Sequence, residues 1–223
     1  MSIKPILFNT EMVRAILDGR KTQTRRVVVP HYRDGDAGFN VITNAATGKF
    51  LYIEYYDENE SSTERRLNPP YIPGDVLWVR ETWNYGFVES SDREYANDVW
   101  FEPSDRKTEG SYIRALSQWW YKADANTEKD MRELNGFWRP SIHMPKEAAR
   151  IFLKVKDVRC ERLQDITNND AKAEGVICAT DNSGMMHRHK FRLLWDSIAD
   201  EQTNWDANPW VWVYEFERVD HHA

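Results

Sequence analysis

A group of residues that can bind an anion or hold an activated nucleophile occurs near the start of the chain. Residues 19–26 read GRKTQTRR, which combines one lysine, two threonine hydroxyls and three arginines. A hydroxyl beside an amine can act as nucleophile and base, whereas clustered cations bind an anion such as a phosphate. A solvated basic helix end that complements the helix dipole is a third interpretation of the same residues.

A short helix is expected to position this group. The apolar residues that precede it recur at helical spacing and are Met12, Val13, Ile16 and Leu17. Asn9 or Thr10 can cap the start of the helix, and Gly19 can take the left-handed conformation that ends it. The reactive group is therefore expected in a turn directly after a helix.

Strand patterns recur through the rest of the chain. β-branched and aromatic content, or alternation of apolar and polar residues, predicts strands over residues 27–29, 76–81, 151–158 and 210–217. Residues 50–56 are typical of a strand in a hairpin. Strands spread around a few short helices indicate an α+β protein with a small, closed or nearly closed sheet.

Two further helices are expected near the C-terminus. Thr167 and Asp170 form a capping pattern before a short helix that Gly175 stops. Glu174 then lies at a helix end, where the dipole disfavours a carboxylate unless a cation such as Lys21 pairs with it. The second helix is amphipathic, and its apolar face is expected to comprise Phe191, Leu194, Trp195 and Ile198.

Composition limits the classes of protein to consider. The 223 residues, 41% of them hydrophobic, fit one elaborated domain over residues 1–223, with poorly patterned insertions at about 31–70 and 84–137. The second insertion is rich in aromatic residues that can stack on bases or pack as a lid. The net charge of -6 argues against a nonspecific binder of long nucleic acid, although it allows a local basic site.

Cysteine usage and hydropathy favour a cytoplasmic protein. The two cysteines, Cys160 and Cys178, suit a reducing compartment, and neither a signal peptide nor a membrane-spanning run is evident. Cys178, His187 and His189 have metal-ligating side chains, but their spacing fits no zinc pattern. No metal and no other cofactor is expected.

Several motifs together resemble the ASCH family, which belongs to the PUA-like β-barrel group. They are Gly19-Arg20-Lys21-x-x-Thr24-x-Arg26, the strand entry PGDVLWV over residues 73–79, Ala171-x-x-Glu174-Gly175 and the terminal WVWVYEF over residues 210–216. The chain resembles phage and prophage members of the family more closely, through the segments KPILF at 4–8, WVRETW at 78–83, SIHMP at 141–145 and LWDSI at 194–198.

The resemblance implies a PUA-like β-barrel with short flanking helices, encoded by a phage or prophage and acting in a bacterial host cell. Small bacterial members of the family hydrolyse the amide bond of N4-acetylcytidine with a lysine, a threonine and a glutamate. Those positions correspond here to Lys21, Thr24 and Glu174. The expected substrate-binding residues are Arg20, Arg25, Arg26, Glu81, Trp83 and His143.

The family resemblance leaves the activity open. The expected partner is a modified nucleoside, a nucleotide or RNA, and the protein is either an amidohydrolase, a noncatalytic RNA or modified-base reader, or a ribonuclease. A role in phage assembly is a further alternative. In the hydrolase, either Lys21 is the base for Thr24, or a charged Lys21 stabilises the oxyanion while Glu174 is the base.

Overall fold

A computed structural model describes residues 2–30, 32–47, 49–89, 99–100, 112–113, 115–124, 138–177 and 187–220. The chain forms two compact units. Unit 1 comprises Met1–Pro5, Ala15–Trp78 and Ile151–Ala223, and unit 2 comprises Ile6–Arg14 and Val79–Arg150. Strands dominate and helices are few, which confirms the α+β class.

The described residues form the following helices and strands. The helices are α1 (Thr10–Leu17), α2 (Asn168–Ala173) and α3 (His187–Asp196). The strands are β1 (Ile3–Leu7), β2 (Gln23–Val27), β3 (Gly38–Thr43), β4 (Phe50–Tyr56), β5 (Ser62–Leu67), β6 (Val76–Arg80), β7 (Trp83–Glu89), β8 (Val99–Trp100), β9 (Tyr112–Ile113), β10 (Ala115–Tyr121), β11 (Phe152–Arg162) and β12 (Trp210–Val219). None of the helices in this part of the chain is long and apolar enough to cross a membrane.

The largest sheet has five strands in the order β1-β6-β11-β12-β2. Its longest pairing joins β11 and β12, which run antiparallel from Phe152↔Val219 to Arg162↔Trp210. Strand β2 pairs antiparallel with the other side of β12. In this order β1 and β2 are the two edges, so the described pairings do not close a barrel.

Three small sheets accompany it. The order β3-β4-β5 forms a three-stranded antiparallel sheet within the expected insertion at 31–70, and β4 confirms the hairpin strand expected over residues 50–56. Strands β7 and β10 pair in unit 2, and β8 pairs with β9. Much of the expected insertion at 84–137, like Cys178, lies outside the described residues.

Strand β12 is buried on both of its faces. Trp212 and Tyr214 lie on one face, and Val211 and Val213 lie on the other. The two valines belong to the hydrophobic core of unit 1, which also contains Leu163, Ile166, Ala171, Phe191, Trp195 and Trp205. The alternating aromatic residues of β12 therefore belong to the core on one face of the strand, and its valines belong to the core on the other face.

The helix starts confirm the expected capping. Asn9 Oδ1 accepts a hydrogen bond from the Met12 N–H at 2.8 Å at the start of α1. At the start of α2, the Thr167 hydroxyl accepts from the Asp170 N–H, and the Asp170 carboxylate accepts from the Thr167 N–H. Each side chain thus satisfies N–H groups that have no partner within the helix.

The strand expected over residues 27–29 was placed too late in the chain. Strand β2 begins at Gln23, because pairing with β12 starts at Gln23↔Glu215 and decides the register. Val29 is 63% exposed. Thr24, Arg25 and Arg26 consequently lie within a strand rather than in a turn.

The prediction of the apolar face of the last helix was wrong in part. Phe191 and Trp195 are buried in the core, but Leu194 and Ile198 are exposed. Ile198 lies beyond Asp196, where α3 ends. The face that packs is therefore narrower than the sequence pattern indicates.

The substitution Gly175→Ala is expected to destabilise unit 1. Gly175 has φ +88°, and an added Cβ would lie 2.8 Å from Ala15 Cβ and 3.0 Å from Lys21 Cβ. Gly35→Ala is the matched control, since Gly35 has φ +93° with no atom within 4 Å of the added Cβ. Urea denaturation is expected to show that Gly175→Ala lowers the free energy of unfolding by about 1–3 kcal/mol more than Gly35→Ala does. Equal losses would mean that the backbone angle alone sets the cost.

Candidate active site

The ends of α1 and α2 meet at Lys21. The N–H groups of Arg20 and Lys21 both donate to the Ala15 carbonyl at 2.9 Å, because Gly19 at φ +71° turns the chain back over the end of α1. Lys21 then forms an isolated antiparallel bridge with Glu174. The missing Cβ of Gly175 lets the two backbones approach.

Lys21 and Glu174 form a buried ion pair. Lys21 Nζ lies 2.7 Å from Glu174 Oε2 and also donates to the Glu174 carbonyl at 2.9 Å. The side chains are 0% and 5% exposed. A charged pair shielded from water in this way interacts strongly, but each charge has lost its hydration.

Arg25 binds the second oxygen of the same carboxylate. Its Nη1 donates to Glu174 Oε1 at 2.9 Å, and its Nη2 donates to Glu161 Oε1 at 2.5 Å. Asp170 Oδ2 is 3.9 Å from the same Nη2. Both oxygens of Glu174 are therefore fixed by cations, which leaves the carboxylate little freedom to rotate.

Thr24 and Arg26 lie on the opposite face of β2 from Arg25. Thr24 is paired with Tyr214 and Arg26 with Trp212, and directly paired residues of antiparallel strands share a face. Arg26 Nη1 donates to Thr24 Oγ1 at 3.3 Å. Thr24 is 1% exposed, so a ligand reaches its hydroxyl only when neighbouring side chains move.

Aromatic rings pack over this face. The Tyr71 and Tyr214 rings are in edge contact, with centroids 5.1 Å apart, and Phe50 contacts Trp212 in the same way at 5.5 Å. Phe50 comes from β4, within the first expected insertion. The first insertion thus contributes directly to the surroundings of β2.

Burial controls the protonation of this cluster. Burial lowers the pKa of Lys21 below its usual 10.5, and the attraction of Glu174 offsets only part of that effect, while Arg26 and Arg25 lower it further. Burial also lowers the pKa of Arg26, against the attraction of Glu174. Burial raises the pKa values of the Tyr71 and Tyr214 phenols. Among the cations of this cluster, Lys21 therefore loses its proton more easily than the arginine guanidinium groups.

Arg20 turns away from the ion pair. Its guanidinium donates to Asp18 Oδ2 at 3.2 and 2.7 Å and to the Gly175 carbonyl at 3.0 Å. The side chain lines a cavity of about 550 Å³ in unit 1 that also includes Lys172 and His187. Neither Thr24 nor Arg26 is among the described residues that line this cavity.

Unit 2 contains the other three expected substrate-binding residues. Glu81 is buried and binds Arg150 through both carboxylate oxygens, at 2.9 and 3.1 Å. Burial raises its pKa despite that arginine. Trp83 is buried beneath Arg139, whose Cζ is 5.0 Å from the ring centroid, and His143 is exposed. Their part in substrate binding stays a prediction.

Sequence reasoning missed the partners of Arg25 and the phenol beside Thr24. Glu161 on β11 and Asp170 at the start of α2 lie 2.5 and 3.9 Å from Arg25 Nη2. Tyr214 is found only once the β2 and β12 register is known. The strict alternation of side chains along β2 was the available indication that Arg25 and Arg26 cannot share a role.

The substitution Glu174→Gln is expected to lower the free energy of unfolding by about 3–5 kcal/mol at pH 7, because Lys21 and Arg25 would stay buried without its negative charge. Urea denaturation measures this loss. The control is Glu217→Gln, whose carboxylate pairs with Lys156 at 3.6 Å on the surface. That change is expected to cost at most about 1 kcal/mol. Similar losses in both variants would contradict a special role for the buried pair.

The chain matches no protein-family model, no curated protein and no solved structure. The functional argument therefore starts from the side chains gathered around β2. These are the buried Lys21 and Glu174, the Thr24 hydroxyl on one face of the strand and the Arg25 guanidinium on the other.

Proposed function

We propose that this protein hydrolyses the amide bond of an N4-acylated cytidine or a related modified nucleoside, in a fold of the PUA-like type. The observation that carries the proposal is the 2.7 Å contact between buried Lys21 and Glu174, with the Lys21 pKa lowered by burial. Lys21 and Thr24 are three residues apart in the motif that resembles ASCH amidohydrolases. A buried amine of lowered pKa is suited to act as a base.

The reaction has two half-steps with Thr24 as nucleophile. In the structure Lys21 Nζ contacts Glu174 and Thr24 Oγ1 contacts Arg26, so the first half-step requires substrate binding to bring the amine and the hydroxyl together. Neutral Lys21 then accepts the Thr24 proton as Oγ1 attacks the acyl carbon, and the resulting ammonium returns the proton to the departing cytidine nitrogen. Water then hydrolyses the acyl ester and releases a carboxylic acid. Arg26, which already donates to Thr24 Oγ1, stabilises the oxyanion.

Glu174 orients Lys21 in this assignment. Its carboxylate and its backbone carbonyl both accept from Nζ, so the amine is directed by two acceptors of one residue. The alternative assignment keeps Lys21 charged as an oxyanion partner and makes Glu174 the base. The lowered pKa of Lys21 favours the first assignment, because it enlarges the fraction of neutral amine.

A second candidate is a noncatalytic reader of RNA or modified bases. The observation that favours it is the burial of Thr24, because a nucleophile needs an open path to its substrate. In a reader, Arg26 binds an acceptor on the base or a phosphate, and no product forms. Such binding weakens as salt concentration rises.

The variants Lys21→Ala and Thr24→Val are each expected to lower kcat/KM for N4-acetylcytidine by at least about 100-fold, because each removes a group that transfers a proton or attacks the substrate. Chromatography with mass detection of released cytidine measures the rate. Thr47→Val is the matched control, since Thr47 is exposed in the turn between β3 and β4. Full activity in either site variant would remove that residue from the mechanism, and inactive wild-type protein that binds RNA would favour the reader.

The rate is expected to increase with pH through an ionisation below 10.5. Burial lowers the pKa of Lys21, so the neutral base accumulates at a lower pH than for an exposed lysine. The profile of kcat/KM against pH reports this ionisation in the free enzyme. A rate that falls across the alkaline range would instead favour charged Lys21 as the oxyanion partner.

A further inference from the structure

The cavity beside Arg20 has walls from three parts of unit 1. It has a volume of about 550 Å³ and lies between the turn after α1, the end of α2 and the start of α3. The residues that line it include Arg20, Thr22, Lys172, Val176, Ile177 and His187. A cavity of this size can hold a nucleotide-sized ligand.

The charge of the cavity differs in sign from that of the chain. The protein has a net charge of -6. Among the nine described residues that line the cavity, Arg20 and Lys172 are cations and none is acidic. Such a concentration of positive charge attracts an anion.

Both cations can bind a ligand. Three N–H groups of Arg20 donate to Asp18 and to the Gly175 carbonyl, so two of its five donors make no hydrogen bond within the described part of the chain. Asp18 neutralises part of its charge. Lys172 is exposed and makes no ion pair with any described residue. Its ammonium group is thus available to an anionic ligand.

The remaining walls suit the uncharged part of a nucleotide. Val176 and the 62% exposed Ile177 supply an apolar surface, against which a base or ribose can pack. The Thr22 hydroxyl and the Asn169 amide add hydrogen-bonding groups. A simple inorganic anion would leave the apolar surface uncovered.

The cavity and the Lys21–Glu174 pair share the same backbone. Arg20 and Thr22 flank Lys21 in sequence, and the Thr22 N–H donates to the carbonyl of Ala173, the residue before Glu174, at 2.8 Å. Neighbouring Cα atoms are about 3.8 Å apart. A ligand in the cavity therefore contacts residues adjacent to both members of the ion pair.

We propose that this cavity binds the phosphate group of the substrate, so that the substrate is a phosphorylated acylcytidine rather than a free nucleoside. This inference rests on the proposed function. The phosphate belongs either to a free nucleotide or to an RNA chain. Lys172 and Arg20 bind it, and Ile177 packs against the adjoining ribose or base.

The test compares N4-acetylcytidine with N4-acetylcytidine 5′-monophosphate as substrates of the full chain. Wild-type protein is expected to show a KM at least about tenfold lower for the monophosphate, because a hydrogen bond to a charged group is lost with the nucleoside. Lys172→Ala is expected to abolish this preference by raising the KM for the monophosphate, and Lys172→Arg to retain it. Lys154→Ala, an exposed lysine on β11, is the matched control and is expected to behave as wild type.

Equal KM values for the two substrates in wild-type protein would overturn the inference, and so would an unchanged preference in Lys172→Ala. A short RNA containing N4-acetylcytidine distinguishes the two phosphate sources. A KM for this RNA below that of the monophosphate, raised by Lys172→Ala, assigns the site to RNA. A higher KM for the RNA assigns it to the free nucleotide.

Calorimetric titration separates this inference from the proposed hydrolysis. If no acylated substrate is turned over, the proposed function fails, but the cavity is still tested with cytidine and cytidine 5′-monophosphate. Tighter binding of the monophosphate, lost in Lys172→Ala and kept in Lys154→Ala, would support the phosphate site. Equal binding of the two ligands would overturn it.

Discussion

The burial of the Lys21–Glu174 ion pair is the constraint on which the rest of unit 1 depends. Two charges removed from water need close partners, and here every oxygen of the Glu174 carboxylate has one. The network continues from Arg25 through Glu161 to Arg159, which also binds Asp170. Strands β2 and β11 and helix α2 are held together by alternating charges as well as by the apolar core.

Alternation along β2 places neighbouring residues on opposite faces of the strand. Arg25 faces the acidic residues and Phe191, which contributes to the core, whereas Thr24 and Arg26 face Tyr214, Tyr71 and Trp212. The same strand therefore anchors Glu174 on one side and presents a hydroxyl and a guanidinium on the other. A shift of one residue in the register with β12 would exchange these two faces.

Local features were predictable from the sequence, and features that depend on strand register were not. The caps at Asn9 and Thr167 and the left-handed Gly19 follow from short-range chemistry, and the structure confirms them. The position of β2 depends on its pairing with β12, almost 190 residues later, so local apolarity placed it wrongly. The motif indicated which residues gather around β2, but not that Arg25 would bind carboxylates rather than solvent or substrate.

The ion pair also links the site to the order of folding. Lys21 and Glu174 are 153 residues apart in sequence, so their contact closes a loop that contains most of the chain. The entropy lost in closing such a loop must be offset by the other contacts of β2, β11 and β12. Contacts of high sequence separation form slowly. An incompletely synthesised chain that ends before β11 contains the whole GRKTQTRR motif and none of Glu161, Asp170 and Glu174, the carboxylates around its Lys21 and Arg25. This cluster therefore forms only when the C-terminal third of the chain has joined the sheet.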